Sequence, residues 1–367
     1  MAVRDISDIE VIALVDDLTR CQVLSYAGAS IAISPKTLLG NFIAQIALPS
    51  KRQLLPGAVP IFGDLFLLEL PIYPWSELIG RKIDYGSLKE TGASIVGIWQ
   101  KGKFKPNPEP EDVIQPNSIL MVVGDKDQLS KIRDLTVGSR REGSIIIVGH
   151  GDVGKLVARA IYKSGIAPTV VDLLDLGEKP FTHVTGDGTS EEDLVKAGIK
   201  DASGTLIMLD KDADVIYSTL LARNLNPSTF IVARANHVKS AEKIYRAGAD
   251  YVASVPVIAS HMLAKIAQGE EEELALLYED LELKIIRVHK GSGLERKSLS
   301  LLDIPGKFLC GIVAIKRDEQ AISRIDMDLV LMHGDSIALI GSPERIDNFV
   351  HAYDRKPALR WVSRNNL

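Results

Sequence analysis

The stretch SIIIVGHGDVGKLVARAIYKSGIAPTVVD, residues 144 to 172, has the pattern of a strand, a glycine-rich turn, a helix and a second strand that ends in an acid. The run from Ser144 to Val148 is the short apolar type that is buried in parallel sheets. The segment after the turn has apolar residues at helical spacing, namely Val153, Leu156, Val157, Ala160 and Ile161. This order predicts an α/β fold with a Rossmann-like, doubly wound parallel sheet.

The turn has the spacing G-x-G-x-x-G, which is typical of folds that bind dinucleotides. The first glycine permits a tight turn, the second lets backbone amides approach a pyrophosphate, and the third lets the helix pack close to the strand. Asp172 ends the second strand. A carboxylate at this position can accept hydrogen bonds from both hydroxyls of an adenosine ribose, and it would repel a ribose that carries a phosphate. We therefore expect NAD(H) or an adenine nucleotide (AMP, ADP or ATP) and not NADP. The predicted cofactor-binding residues in this unit are Gly149, His150, Gly151, Asp152, Val153, Gly154 and Asp172.

One charge in the loop leaves the occupancy of this cleft open. Asp152 lies where its negative charge opposes the phosphates of a ligand, and Lys155 is the nearby cation that could offset it. Two alternatives remain at this point. Either the cleft holds a nucleotide, or the dinucleotide fold is kept for its shape and the cleft is empty.

Strands and helices continue to alternate after Asp172. Further strands are predicted in HVTGD, GTLIMLD, FIVARAN and DYVAS, and the helix after the first of them is expected to begin with a capping box at Thr189 or Ser190. The sheet should therefore be mostly parallel, with ligands at the carboxyl ends of its strands. Asp187 and Arg234 lie at such ends and complete the set of predicted cofactor-binding residues.

The chain also contains an internal repeat. With a shift of 220 residues, the segment 11–47 overlies the segment 231–267 without a gap, and Ala27-Gly28-Ala29 matches Ala247-Gly248-Ala249. Further along, EDVIQPNSILMVVGDKDQLSKI resembles MDLVLMHGDSIALIGSPERIDNF, and each predicts a small α/β domain. This organisation indicates a tandem duplication.

The duplication divides the chain into four predicted parts, for which we use N-lobe for the Rossmann-like domain and C-lobe for the small domain. They are half of a first N-lobe (1–62), a first C-lobe (63–138), a complete N-lobe (141–278) and a second C-lobe (279–355). The first N-lobe is incomplete, because it begins at its fifth strand and has no glycine loop. Half a parallel sheet exposes an apolar edge, so either another chain covers it or the natural protein continues upstream of Met1, which is the alternative we expect.

Composition excludes several classes of function. The net charge is -5 and the basic residues are scattered, so a nucleic-acid partner is not expected. The only two cysteines, Cys21 and Cys310, have no metal-ligand spacing and form no disulfide framework, which fits a reducing cytosol. Proline and charged residues interrupt the longest apolar runs, so we do not expect this chain itself to span a membrane.

The order of the motifs GHGDVG, TVVD, TGDGT, DLVKAGI, ARA, RAGADYV and HGDSIALIG resembles the RCK domain, the TrkA-type regulator of potassium conductance. The resemblance covers residues 141–355 as a complete pair of lobes and residues 9–137 as half an N-lobe with its C-lobe. It implies a homo-oligomeric ring of RCK units, either a tetramer of tandem units or, in isolation, a dimer. It also implies a position at the cytoplasmic face of the cell membrane, attached to the pore domain of a potassium channel or transporter.

The resemblance also bears on single residues. The three glycines of the loop and Asp172 match the nucleotide motif of the family, whereas the family often has an arginine at the position of Asp152. Asp187 matches a position near the adenosine or, in calcium-gated members, among the cation ligands. Those members carry acids where this chain has Arg234 and Asn236, and a guanidinium repels calcium, so no metal is expected at the usual family site.

Arg234 has two interpretations. Its planar guanidinium can donate hydrogen bonds to two phosphate oxygens of a ligand. Alternatively, it can form a salt bridge with Asp187 or Asp210 and bind no ligand. The function we expect is that of a ligand-sensing gating-ring module without enzyme activity and without catalytic residues. The alternatives are a separate TrkA-type subunit of a potassium transporter and an NAD-dependent oxidoreductase that uses the same cleft.

Overall fold

A computed structural model describes residues 9, 11–15, 21–48, 58–84, 86–100, 103–116, 118–138, 143–256 and 281–353. The first described elements are a small parallel pair of strands and two helices: β1 (Ile12–Leu14), α1 (Cys21–Tyr26), β2 (Ile31–Ile33) and α2 (Pro35–Ala47). Serine and proline start α2, since the Ser34 hydroxyl accepts a hydrogen bond from the backbone N–H of Thr37 and Pro35 is the first helical residue.

The first C-lobe is an antiparallel sheet with the strand order β3-β4-β7-β5-β6 and two helices. Its elements are β3 (Val59–Phe62), β4 (Leu65–Pro71), α3 (Gly86–Thr91), β5 (Ser94–Gln100), β6 (Lys103–Pro106), β7 (Ser118–Gly124) and α4 (Lys126–Val137). The domain boundary predicted after Phe62 falls inside the hairpin of β3 and β4, because β3 pairs with β4 in this sheet. Residues 59–62 therefore belong with the C-lobe sheet.

The complete N-lobe has six strands, all parallel, in the order β10-β9-β8-β11-β12-β13. The strands are β8 (Ser144–Val148), β9 (Thr169–Asp172), β10 (Thr182–Thr185), β11 (Ala202–Ile207), β12 (Phe230–Ala235) and β13 (Tyr251–Ser254). The helices are α5 (Asp152–Lys163), α6 (Glu191–Lys196), α7 (Asp212–Leu225) and α8 (Ala241–Arg246), with short 3-10 turns at Ile199–Asp201 and Val238–Ser240. This is the doubly wound order, and it confirms the fold class expected from the sequence.

The second C-lobe repeats the strand order of the first. Its sheet runs β14-β17-β15-β16, which corresponds to β4-β7-β5-β6. The elements are β14 (Glu282–Arg287), α9 (Leu299–Leu302), a π-helical turn (Ile304–Phe308), β15 (Gly311–Arg317), β16 (Gln320–Ile322), β17 (Ser336–Gly341) and α10 (Pro343–Tyr353). The predicted domain boundaries near residues 138–141 and 278–279 fall largely outside the described residues.

The first repeat packs against the N-lobe of the second. A Cβ atom on Gly40 of α2 would lie 2.7 Å from Cβ of Leu156 on α5, so a glycine is what lets these helices approach so closely. Beyond α2, the ring of Tyr73 lies 4.4 Å from that of Phe230, and its hydroxyl donates to the carbonyl of Ile46 at 2.8 Å. Apolar contact between the repeats thus covers part of the surface that half an N-lobe would otherwise expose.

No helix within the described ranges is both long and apolar enough to cross a membrane.

Candidate functional site

The glycine loop lies at the carboxyl end of β8. Gly149 has φ +95°, and its N–H donates to the carbonyl of Val171 at 2.8 Å. That left-handed conformation favours glycine. A Cβ atom on Gly154 would overlap the carbonyl oxygen of Gly149, and one on Gly151 would lie 3.3 Å from Oδ2 of Asp210. The tight path of the loop therefore depends on glycine at positions 149 and 154, whereas a side chain at position 151 would displace only the exposed carboxylate of Asp210.

The loop leads directly into the first turn of α5. The N-cap residue is Gly151, so no side chain caps the helix, and Val153 and Gly154 are buried beneath the loop. The first amides of a helix have no partner within the helix, and the helix dipole adds partial positive charge there. This end of α5 is therefore suited to an anion such as a phosphate.

Asp172 lies beside the loop at the end of β9. Its Oδ2 accepts the backbone N–H of His150 at 2.6 Å, and its Oδ1 accepts that of Leu174 at 3.0 Å. Each carboxylate oxygen has a further lone pair for a ribose hydroxyl. Leu173 and Leu174, which sequence analysis did not single out, are 71% and 72% exposed next to this carboxylate and offer an apolar surface to a base.

His150, one of the predicted cofactor-binding residues, is buried. Its ring lies 5.9 Å from that of Phe181, and its Nδ1 atom is buried without a hydrogen-bond partner among the described residues. Burial is the largest cause that lowers the pKa of His150, and the charge of Lys155 adds to it. Both effects favour the neutral form of the imidazole.

Asp187 is exposed, and the next residue, Gly188, packs against the side chain of Val148 at the end of β8. Oδ1 of Asp187 accepts hydrogen bonds from the hydroxyl of Thr189 at 2.7 Å and from its N–H at 2.8 Å, which lower the pKa of Asp187. The predicted capping box is only half formed. Ser190 caps α6, but the carboxylate of Asp193 accepts the N–H of Asp187 at 2.9 Å, because the loop turns that amide towards it.

Arg234 projects from β12 and is 7% exposed. Its Nη1 lies 2.7 Å from Oδ1 of Asp210, which makes the salt bridge that the sequence left as an alternative, with Asp210 and not Asp187 as the partner. The Nε atom is buried and has no partner among the described residues. An arginine with an unused buried donor next to the loop retains capacity for an anion.

Asp152 has a partner that the sequence did not reveal. The Nζ atom of Lys36, on α2, lies 2.9 Å from Oδ2 of Asp152. This hydrogen bond is the largest cause that lowers the pKa of Asp152. The charges of Lys36, Lys155 and Arg234 lower it further. Lys36 thus pairs with the carboxylate that opposed an anionic ligand in the sequence interpretation, and the charges of Lys155 and Arg234 act on it in the same direction.

The described residues therefore bring the predicted glycines, His150 and Asp172 together at one end of the sheet. An uncapped helix start and Arg234 lie at the same end, and Asp187 borders it. Chemically, this arrangement suits an anion next to a ribose. Across the ranges that the structure covers, no cluster of three or more His, Cys, Asp or Glu side chains could hold a metal ion.

Comparison with protein families matches both kinds of lobe. The TrkA-N domain matches residues 145–255, and the TrkA-C domain matches residues 67–137 and again residues 283–352. Together these matches cover more than half of the chain.

Two relatives show how far the similarity extends. Potassium channel protein 1 of Methanocaldococcus jannaschii is 31% identical over 214 residues, which are 55% of this chain and 64% of that protein. The chain thus spans less than two thirds of the length of this relative. The Trk system potassium uptake protein TrkA homolog 1 of Methanosarcina mazei is 22% identical over 85% of this chain and 70% of that protein.

Among solved structures, the crystal structure of the GsuK RCK domain aligns with a TM-score of 0.55 and 26% identity, over 95% of this chain and 77% of that chain. The GsuK channel bound to NAD aligns with the same TM-score and identity, over 95% of this chain and 63% of that chain.

Proposed function

Because this chain belongs to the family of proteins built from TrkA-N and TrkA-C domains, we propose that it is a ligand-sensing regulatory module of a potassium channel. It binds NAD(H) or an adenine nucleotide in the cleft of its complete N-lobe. The observation that carries the proposal is the relationship of the glycine loop to Asp172: a loop that requires glycine at positions 149 and 154 is tied to a carboxylate placed for a ribose.

The charges around the loop support a phosphate-bearing ligand. The start of α5 has no side-chain cap, and the buried Nε of Arg234 has no partner among the described residues. Both features favour an anion at this position. The NAD-bound GsuK channel, which has the same fold over 95% of this chain, makes NAD the first ligand to test.

The proposed mechanism is a shift of population between two arrangements of the lobes. A ligand can shift such an equilibrium only as far as it binds the two arrangements differently. The first repeat packs on α5 through Gly40 and contacts Asp152 of the loop through Lys36. A movement of the loop would therefore act directly on the first repeat. In the assembled protein we propose that a ring of such units passes this change to a pore domain from the cytoplasmic face of the membrane.

A separate regulatory subunit of a potassium transporter is the second candidate. The alignment with the TrkA homolog of Methanosarcina mazei, which extends over 85% of this chain, favours it. Both candidates use the same cleft for the same purpose. They differ in whether the pore is part of the same polypeptide, and mass spectrometry of the natural protein isolated from its membrane distinguishes them.

We propose that the cleft binds its ligand without catalysis. His150 is the imidazole at the loop, but it is buried against Phe181 with its pKa lowered, which leaves it poorly placed to exchange protons with a substrate. The rival is an NAD-dependent oxidoreductase. It predicts a change in NADH absorbance in the presence of small oxidisable substrates, whereas a sensor leaves the cofactor intact.

The experiment is a thermal-melting panel with NAD, NADH, AMP, ADP, ATP and calcium, followed by potassium flux with the reconstituted pore. We expect at least one nucleotide to raise the melting temperature at saturation and the same nucleotide to change the flux. A nucleotide that raises the melting temperature and leaves the flux unchanged would contradict regulation. No shift from any nucleotide would contradict binding.

A further inference from the structure

Two helices of different repeats start side by side at the glycine loop. Lys36 of α2 meets Asp152 of α5, and four residues later in both helices Gly40 meets Leu156. The equal spacing means that α2 and α5 run in the same direction, with both N-termini at the loop. The packing of Gly40 on Leu156, about one helical turn further along both helices, therefore places Lys36 at the cleft.

The two partners of this ion pair differ in exposure. The side chain of Lys36 is 20% exposed, whereas that of Asp152 is 64% exposed. The ammonium group is thus held at the edge of the cleft by the packing of its aliphatic stem, and the carboxylate is the group that can turn towards solvent.

The repeat comparison indicates that this lysine belongs to the first copy alone. With the 220-residue shift, Ser34 matches Ser254, but Lys36 matches Pro256. Asp152 lies 116 residues away in the sequence, so the pair exists only because the first repeat packs on the second.

We propose that Lys36 is a ligand-binding residue of the nucleotide cleft, contributed by the first repeat, and that its ammonium group leaves Asp152 to bind a phosphate of the ligand. The inference rests on the proposed function, since it assigns a residue to that same cleft. An ammonium group has three donors, and a pyrophosphate offers it more negative charge than one carboxylate does. A ligand bound in the cleft would then contact α2 directly, because Lys36 lies on that helix.

A double-mutant cycle separates this role from simple neutralisation of Asp152. The variants are Lys36→Met, Asp152→Asn and the double variant, and the probes are NAD and ADP, measured by calorimetry. Lys89→Met is the matched control, because it removes an exposed ion pair of similar length with Asp84 in the first C-lobe, 3.0 Å. Melting curves without ligand verify that each variant is folded.

If Lys36 binds phosphate, Lys36→Met weakens binding of the pyrophosphate ligand by about tenfold, and it does so in the Asp152→Asn background as well. The Lys89→Met control retains the wild-type affinity. An effect of Lys36→Met that vanishes when Asp152 is replaced, or no effect in either background, overturns the inference while leaving the proposed function intact. A wild-type protein that binds neither probe overturns the proposed function itself and the inference with it.

Discussion

The side-chain amide of Asn107 in the first C-lobe hydrogen bonds to both backbone polar groups of Ile312 in the second. Its Oδ1 accepts the N–H at 2.8 Å, and its Nδ2 donates to the carbonyl at 3.3 Å. The two residues are 205 positions apart. A single side chain therefore takes the place of a neighbouring strand for Ile312 and ties the two C-lobes together.

We expect Asn107→Ala to lower the free energy of unfolding by about 1–3 kcal/mol, because it leaves the N–H of Ile312 without its partner. Asn107 also has φ +41°, which alanine tolerates poorly. Asn107→Gly is the matched control for that conformation, since it loses the hydrogen bonds without the strain and should be less destabilising than alanine. Urea unfolding measures both; wild-type stability in Asn107→Ala would show that the amide does not join the lobes.

Gly154→Ala tests the geometry of the loop. A Cβ atom there would overlap the carbonyl oxygen of Gly149, so we expect a lower melting temperature and loss of nucleotide binding. Gly86, the first residue of α3, has open space around its Cβ position, and Gly86→Ala should be neutral or stabilising by ~0.4–1 kcal/mol. Equal nucleotide affinity in Gly154→Ala and wild type would refute a binding loop at this position.

The buried imidazole of His150 should make stability depend on pH. Its pKa is lowered from the ordinary value of 6.5, so the unfolded chain takes up a proton more readily than the folded one. The stability that neutral His150 contributes is present above 6.5 and is lost as the pH falls through the lower, folded pKa. His150→Gln should remove this part of the acid sensitivity in melting curves; identical curves for both proteins would disprove it.

Glu69 on β4 has the opposite dependence. Burial raises the pKa of its carboxyl from 4.5 to about 8, so the folded chain binds the proton more tightly than the unfolded one. Stability is then greatest below 4.5 and falls as the pH rises towards about 8, by at most ~1.4 kcal/mol per pH unit. Glu69→Gln keeps the shape without the charge and should flatten this slope in denaturant unfolding. A slope that persists in the variant would assign it to other groups.

Much of the N-lobe could be predicted from the sequence. Several of its strands, such as β8 and β12, are short runs of mostly apolar and buried residues, and such runs between turn residues have a clear signature. The glycine spacing and Asp172 indicated the cleft because each residue is required by the local backbone path, as the geometry of Gly149 and Gly154 illustrates. The 220-residue repeat likewise anticipated the common strand order of the two C-lobes.

Contacts between the repeats could not be predicted in the same way. The pair of Lys36 and Asp152 joins exposed charges that are 116 residues apart, and scattered surface charges have no periodic pattern. The sequence left Asp187 and Asp210 as alternative salt-bridge partners of Arg234, and only the folded structure shows that the partner is Asp210. The ring contact of His150 is with Phe181, a residue that follows a loop and carries no motif.

Calorimetric titration of NAD into the wild type, Asp172→Ala and Asp175→Ala tests the central claim most directly. Asp175 is the control, because it lies three residues further along, accepts a similar backbone hydrogen bond from Gly177 and is 78% exposed. We expect saturable binding to the wild type and to Asp175→Ala, and affinity at least about tenfold weaker in Asp172→Ala. Equal affinity in all three proteins, or no binding to the wild type, would contradict a nucleotide site in this cleft.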